Sequence, residues 1–263
     1  ANRAEQFARQ ACERLGVALP ECELELPAAP PEHVGLGVGT QLGLAVAAGV
    51  NAFLGRPPLS TPELARVAGR GARSAVGTYG FVAGGLLVEA GKVSGQPLSP
   101  LLARVELPAD WRFALITPRG RQGLSGEAEQ QAFAAIAAVP RLTTAELCSE
   151  ALLHLLPAAI EADFDGFSES LFRFGRLAGN CFAGEQGGAF ANPQSARLVE
   201  TMRSLGVPGV GQSSWGPTLF ALLPGQQAAV QFAARLTKGC GQLELDITIA
   251  APANTGAQIS IEA

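Results

Sequence analysis

Lysine is almost missing from this chain. Lys92 and Lys238 are the only two among nineteen basic residues, and the others are all arginine. Arginine presents a planar fork that suits phosphate and carboxylate. Charge as a whole is scarce, at 16% of residues against 48% apolar. A chain of 263 residues with that balance can bury a substantial core, and wholesale disorder is excluded. Its length suits one large domain or two smaller ones. A net charge of -4 argues against a nucleic-acid partner, though a local basic patch could still hold a small anion.

Other absences narrow the class further. The five cysteines, at 12, 22, 148, 181 and 240, are odd in number and none stands at zinc-type CxxC spacing. Buried free thiols in a reducing cytosol are the expectation. No unbroken apolar run reaches about 18 residues and no signal peptide is visible, so a soluble cytoplasmic protein with no membrane partner is expected. Methionine occurs once, at Met202, so the sequence as given lacks its initiator. No Gly-x-x-x-x-Gly-Lys-Ser/Thr stretch offers a nucleotide loop of that kind.

What the chain has in quantity is glycine in three clusters. The first runs through Gly35, Gly37 and Gly39, and an apolar run of small residues follows from Thr40 to about Leu54. That pattern reads as a loop entering the N-terminus of a buried helix. Free backbone amides and the positive end of the helix dipole then make a site for phosphate. Taken alone, the triplet also reads as a tight turn. The second cluster, GRGARS at 69–74, sets Arg70 and Arg73 around Gly71 and ahead of Ser74. It is either a turn with two solvated arginines or an anion clamp. The third, GVGQSSWGPT at 209–218, carries Ser213, Ser214 and Trp215 into an apolar strand.

Periodicity places the rest. Residues 2–15 read as an amphipathic helix, CELELPA at 22–28 as a strand, and STPELARVAG as a helix with Thr61 at its N-cap. Residues 79–89 have strand character. WRFALITP, 111–118, is a strand, and Arg119 and Arg121 leave its end, where ligands of α/β sheets often bind. Ser125, Glu127 and Glu129 open a helix whose carboxylates compensate its dipole. Helices fill 143–185 and 193–205, with His154 read as a core or interface residue. A strand, a helix and a strand at 218–250 complete a split βαβ, ferredoxin-like layer.

These stretches resemble the GHMP superfamily, and within it the β-ribofuranosylaminobenzene 5'-phosphate synthase family. The residues that carry the resemblance are Pro31, His33, Gly35, Leu36, Gly37, Gly39, Thr40 and Gln41; then Gly69, Arg70, Gly71, Arg73 and Ser74; GLSGEAEQQAF at 123–133; and Gly211 to Thr218. Val38 stands where that family usually carries serine. The family also has a strand region with its first motif ahead of the helix at 2–15, where this sequence begins. The implied fold is α+β and GHMP-kinase-like. It pairs a ribosomal-S5-domain-2-like part, truncated here, over 1–108 with a ferredoxin-like part over 109–263.

The resemblance implies a decarboxylating phosphoribosyl transfer from phosphoribosyl pyrophosphate to 4-aminobenzoate or 4-hydroxybenzoate, in the methanopterin pathway. It implies a divalent metal, magnesium, and no organic cofactor; related proteins commonly form homodimers. Gly35, Gly37, Gly39, Thr40 and Gln41 are then candidates to hold phosphate. Arg70, Arg73 and Ser74 would grip phosphate or the benzoate carboxylate, with Arg119 and Arg121 as further candidates. His33 would be a proton relay or a loop anchor. Ser213, Ser214 and Trp215 would line the pocket, with Trp215 stacking on the arene. A GHMP small-molecule kinase, and a catalytically silent binder of a phosphorylated ligand, are the alternative readings.

Overall fold

The computed structural model describes residues 2–120, 123, 136, 138–241 and 243–261. They fall into two units. One comprises Ala1–Glu32, Gly37–Glu106 and Ala253–Ala263, the other His33–Leu36 and Leu107–Pro252.

The first unit is organised around an apolar helix. Helix α1 (Asn2–Leu15) and helix α2 (Val38–Phe53) are followed by α3 (Thr61–Ala68), α4 (Val76–Ala83) and the hairpin β1 (Leu86–Glu89) and β2 (Leu101–Val105). Helix α2 is apolar nearly all round, as a helix packed on two sides must be. One side, Val46 and Val50, meets Ala4, Ala8 and Cys12 of α1. The other, Leu44, Ala47 and Ala48, meets Leu64, Val67, Ala68 and Phe81. Helix α3 is capped one residue earlier than the sequence suggests. Ser60 is its N-cap, and the Glu63 carboxylate accepts hydrogen bonds from Ser60 N (2.9 Å) and Oγ (2.5 Å). Residues 79–83 are helical rather than extended, because the break at Gly84 and Gly85 ends α4 and starts β1. The C-terminal segment returns to that break. Gly85 N donates to Ala253 O (2.7 Å) and Ala257 N to Phe81 O (2.7 Å).

Residues 22–28 form no strand. Leu24 and Leu26 are each 45% exposed, and alternation makes a strand only where one face is covered and a neighbour supplies hydrogen bonds.

The second unit is a split βαβ layer. Strand β3 (Arg112–Pro118) leads to helix α5 (Arg141–Glu150), a π-helical turn (Ala151–Leu155), α6 (Leu156–Ile160), α7 (Phe164–Asn180), α8 (Ala183–Gln186) and α9 (Pro193–Ser204). Then come β4 (Val210–Gln212), β5 (Leu219–Leu223), α10 (Gln226–Gly239) and β6 (Leu245–Ala250). The sheet order is β4-β5-β3-β6 with every neighbour antiparallel, the ferredoxin-like order. Ala114, Ile116, Leu219 and Ala221 of the sheet bury against Leu198, Val199 and Met202 of α9 and Ala229, Phe232 and Leu236 of α10. The short strand β4 sits in what the sequence marks only as a glycine loop. The expected helix from Ser125 falls on residues outside those described.

Among the described residues no helix is long and apolar enough to cross a membrane. The cysteines are free, but only Cys12 is buried; Cys22 and Cys148 are exposed. His154 is exposed and not a core residue.

Candidate active site

The first glycine cluster divides between the units at Leu36 and Gly37, and each part has its own surroundings. In the first unit, Gly37 takes the left-handed conformation (φ 68°) and starts α2 with no side-chain cap. Thr40 N and Gln41 N both bond back to Gly37 O, at 2.9 and 3.0 Å. No acceptor among the described residues meets the amides of Val38 and Gly39. The first turn of α2 is therefore an open, positively polarised helix end.

Two guanidinium groups gather there. Arg70 Nη2 donates to Gly39 O at 3.1 Å. Arg3, on α1, lies so close to Gly39 that any side chain at 39 would run into its Nη2. Arg3 Nη1 pairs with Glu32 Oε2 at 2.7 Å. Both arginines lie over the ring of Phe7, with Cζ 5.7 Å (Arg3) and 5.0 Å (Arg70) from its centre. Gln41 Nε2 donates to Gly77 O at 2.9 Å, which ties the first turn of α2 to that of α4. Arg73 and Ser74 precede α4 and are exposed; Ser74 Oγ accepts from Val76 N at 3.3 Å. Arg3 is the residue sequence reasoning misses. A lone arginine near the start of an amphipathic helix looks solvated, and nothing in its spacing ties it to Gly39.

In the second unit, residues 33–36, Gly123 and residues 213–216 form a knot of close backbones. Any side chain at Gly35 would strike Ser213 O and Gly216 Cα, and one at Gly216 would strike Gly35 and Val34 O. Gly123 N donates to His33 O at 2.8 Å, and Ser213 Oγ donates to Gly35 O at 2.8 Å. His33 (φ 61°) and Ser214 (φ 51°) both hold a left-handed conformation that non-glycine residues avoid. Such strain persists only where surrounding contacts enforce it, and it concentrates at functional sites. Both side chains are exposed.

Gln212 braces this knot, accepting from Ala191 N (2.6 Å) and donating to Ser214 O (2.8 Å). Trp215 is 8% exposed and meets Phe182 edge-on, with ring centres 5.1 Å apart. Its ring is thus a packed wall. Arg119 is held by Asp246 (2.8 Å) and Glu244 (3.8 Å), and these carboxylates raise its pKa. Arg121 lies outside the described residues.

The fold and the open helix end define a class: proteins built like the GHMP kinases. Family models for the GHMP kinases N terminal domain and the GHMP kinases C terminal region match residues 2–85 and 155–242. A putative homoserine kinase from Listeria monocytogenes has a TM-score of 0.64 at 18% identity, covering 97% of this chain and 81% of that one. The mevalonate kinase of Methanococcus jannaschii gives 0.60 at 14% identity, with 96% and 75% covered. These likenesses establish the fold alone.

Sequence relatives narrow the family. The chain is 31% identical over 225 residues to the β-ribofuranosylphenol 5'-phosphate synthase of Methanothermobacter thermautotrophicus, covering 81% of this chain and 67% of the relative. It is 33% identical over 221 residues to the enzyme of the same name from Archaeoglobus fulgidus, covering 80% and 67%. The chain belongs to this synthase family within the GHMP fold, a family of enzymes, and spans about two thirds of these relatives' length.

Proposed function

We propose that this chain is a transferase that joins the ribosyl 5'-phosphate group of phosphoribosyl pyrophosphate to 4-hydroxybenzoate, with loss of pyrophosphate and carbon dioxide, in tetrahydromethanopterin synthesis. The first turn of α2 carries the reading: the backbone amides of Val38 and Gly39, which no acceptor among the described residues meets, with Arg3 and Arg70 beside them. Pyrophosphate builds negative charge as it departs, and prearranged donors stabilise that charge best. The relatives' name supports the acceptor. A ribofuranosyl phenol phosphate is what remains when 4-hydroxybenzoate exchanges its carboxylate for the sugar; 4-aminobenzoate would leave an aminobenzene.

The bonds balance without an oxidant or a cofactor. The anomeric C–O bond to pyrophosphate breaks, and pyrophosphate leaves with the electron pair. The ring carbon bearing the carboxylate attacks the anomeric carbon. The carboxylate then departs as carbon dioxide, and its electron pair restores the aromatic ring. In this reading Val38 and Gly39 donate to pyrophosphate through their amides, with Gly37, Thr40 and Gln41 shaping the turn. Arg3, Arg70 and Arg73 supply the positive charge, and Ser74 a hydroxyl. His33 and Ser214, exposed and strained, are the candidates to meet the aromatic acid, with Trp215 as a wall. Ser213 and Gly35 hold the knot together.

Magnesium would travel with the pyrophosphate. Among the described residues no group of three or more His, Cys, Asp or Glu side chains makes a cage for it, and no step is assigned to it.

The test is carbon dioxide and pyrophosphate release from phosphoribosyl pyrophosphate with carboxyl-labelled 4-hydroxybenzoate, and separately with 4-aminobenzoate. Equimolar release is expected, faster with 4-hydroxybenzoate. Phosphorylation of a small alcohol by ATP, with no pyrophosphate release, would overturn the reading in favour of a kinase. Tight binding without turnover would make the chain a silent receptor.

A further inference from the structure

The arginine loop, residues 70–75, is gripped from β1 and the turn that follows it. Lys92, one of only two lysines, places its ammonium among three carbonyl oxygens: Ala72 O at 2.7 Å, Gly71 O at 3.3 Å and Pro97 O at 3.3 Å. An ammonium has three rotatable donors and can serve three divergent acceptors; a guanidinium is a planar fork and cannot replace it there. Beyond Arg73 the loop is caught again. Glu89 Oε2 accepts from Ala75 N at 2.5 Å. Glu89 ends β1 where its pairing with β2 shifts register, and such irregularities re-aim side chains. Arg70 N bonds to Ala65 O at 2.8 Å, and Gly71, in the left-handed conformation (φ 83°), packs against the tip of the Leu98 side chain. The backbone is thus tied on both sides of Arg73, whose side chain stays exposed.

We infer that Lys92 and Glu89 are positioning residues. They hold the loop of residues 70–75 so that Arg73 meets a phosphate group on a prearranged backbone. This rests on the assignment of Arg73 as a phosphate ligand made above. A guanidinium on a fixed backbone loses less freedom when it closes on an anion, so the clamp acts on binding of the phosphorylated substrate.

Lys92→Met and Glu89→Ala test it, with Glu89→Gln keeping the acceptor. The expected result is a KM for phosphoribosyl pyrophosphate raised about tenfold in the first two, with kcat, the KM for 4-hydroxybenzoate and Tm nearly unchanged. Glu89→Gln stays close to the unsubstituted protein. A KM that does not move, or kcat, both KM values and Tm shifting together, overturns the inference.

Amide exchange of residues 71–76 in ligand-free protein reads the clamp without any substrate. Lys92→Met should speed it, and unchanged exchange sinks the clamp whatever the kinetics show. Unsubstituted protein that neither binds nor turns over phosphoribosyl pyrophosphate overturns the substrate reading instead, and the exchange result still decides the clamp.

Discussion

Ser213 Oγ donates to Gly35 O at 2.8 Å across 178 positions of sequence. That bond joins the first and third glycine clusters, and it gives the serine a structural task. Ser213→Ala should lower stability by about 1 kcal/mol and leave kcat within a few-fold. Thermal unfolding and steady-state rates check both numbers. A fall in kcat of about a thousandfold with unchanged Tm would return Ser213 to the chemistry as an acid or base.

The glycines on either side of that bond are far less replaceable. Gly35→Ala and Gly216→Ala each push a methyl group into backbone atoms, which cannot swing aside as a side-chain tip can. At Gly35 the positive φ of 87° adds strain. Each change should cost about 3 kcal/mol or more, measured by urea unfolding. Gly37→Ala is the control. It carries a φ of 68° but nothing stands within 4 Å of its added carbon, so it should cost only about 1 kcal/mol.

At the other end of the loop, the neighbour of Gly39 is a side chain. Gly39→Ala should displace Arg3, and Arg3→Ala should remove it, so both raise the KM for phosphoribosyl pyrophosphate through the same loss. The double variant should then be little worse than either single one, the non-additivity expected of residues that act as a unit. Additive losses would mean that Arg3 and Gly39 serve the substrate separately.

Much of this was legible in the sequence because glycine has few reasons to recur. The sequence marked these stretches as glycine-rich loops for phosphate or tight turns; that Gly35 and Gly216 sit against backbone atoms with no room for a Cβ, and Gly39 against the tip of Arg3, only the structure shows. The βαβ order was legible because β3, β5 and β6 are apolar or alternating over five residues or more. Strand β4 was not, since Val210–Gln212 is three residues long and pairs only through a glycine-rich stretch. Residues 22–28 alternate without becoming a strand, because alternation describes one face and says nothing of whether anything covers it. Arg3 was invisible for a related reason: its partners, Glu32 and Gly39, are distant in sequence, and only folding brings them together.

His33 offers a way to separate strain from chemistry. Glycine tolerates φ near 61°, so His33→Gly should leave the fold intact and could stabilise it by about 1 kcal/mol through relief of strain. If the imidazole is only an anchor for the turn, activity survives the change. If it moves a proton, kcat falls by about a hundredfold or more while Tm holds or rises. The KM for 4-hydroxybenzoate should climb without a kcat change if the ring only contacts the acid.

A final prediction concerns acid stability, set by a carboxylate away from the glycine knot. Glu150 closes α5 where the π-helical turn begins and is 8% exposed. It accepts hydrogen bonds from Ser170 Oγ (2.5 Å), Arg173 Nη2 (2.9 Å) and Arg173 Nε (3.1 Å). Burial pushes its pKa up, but the hydrogen bonds and charge of Arg173 and Ser170 outweigh burial and leave it below the ordinary carboxylate value. A depressed folded pKa stabilises above the unfolded value of about 4.3, and the contribution is lost as pH falls through the folded pKa. Glu150→Gln should therefore be less stable by about 2 kcal/mol at neutral pH, the gap closing as pH falls through the lowered folded pKa of Glu150. Urea unfolding across an acid pH series measures it. A gap that persists undiminished in acid would mean that the amide is a poorer fit for the site and that charge is not the cause.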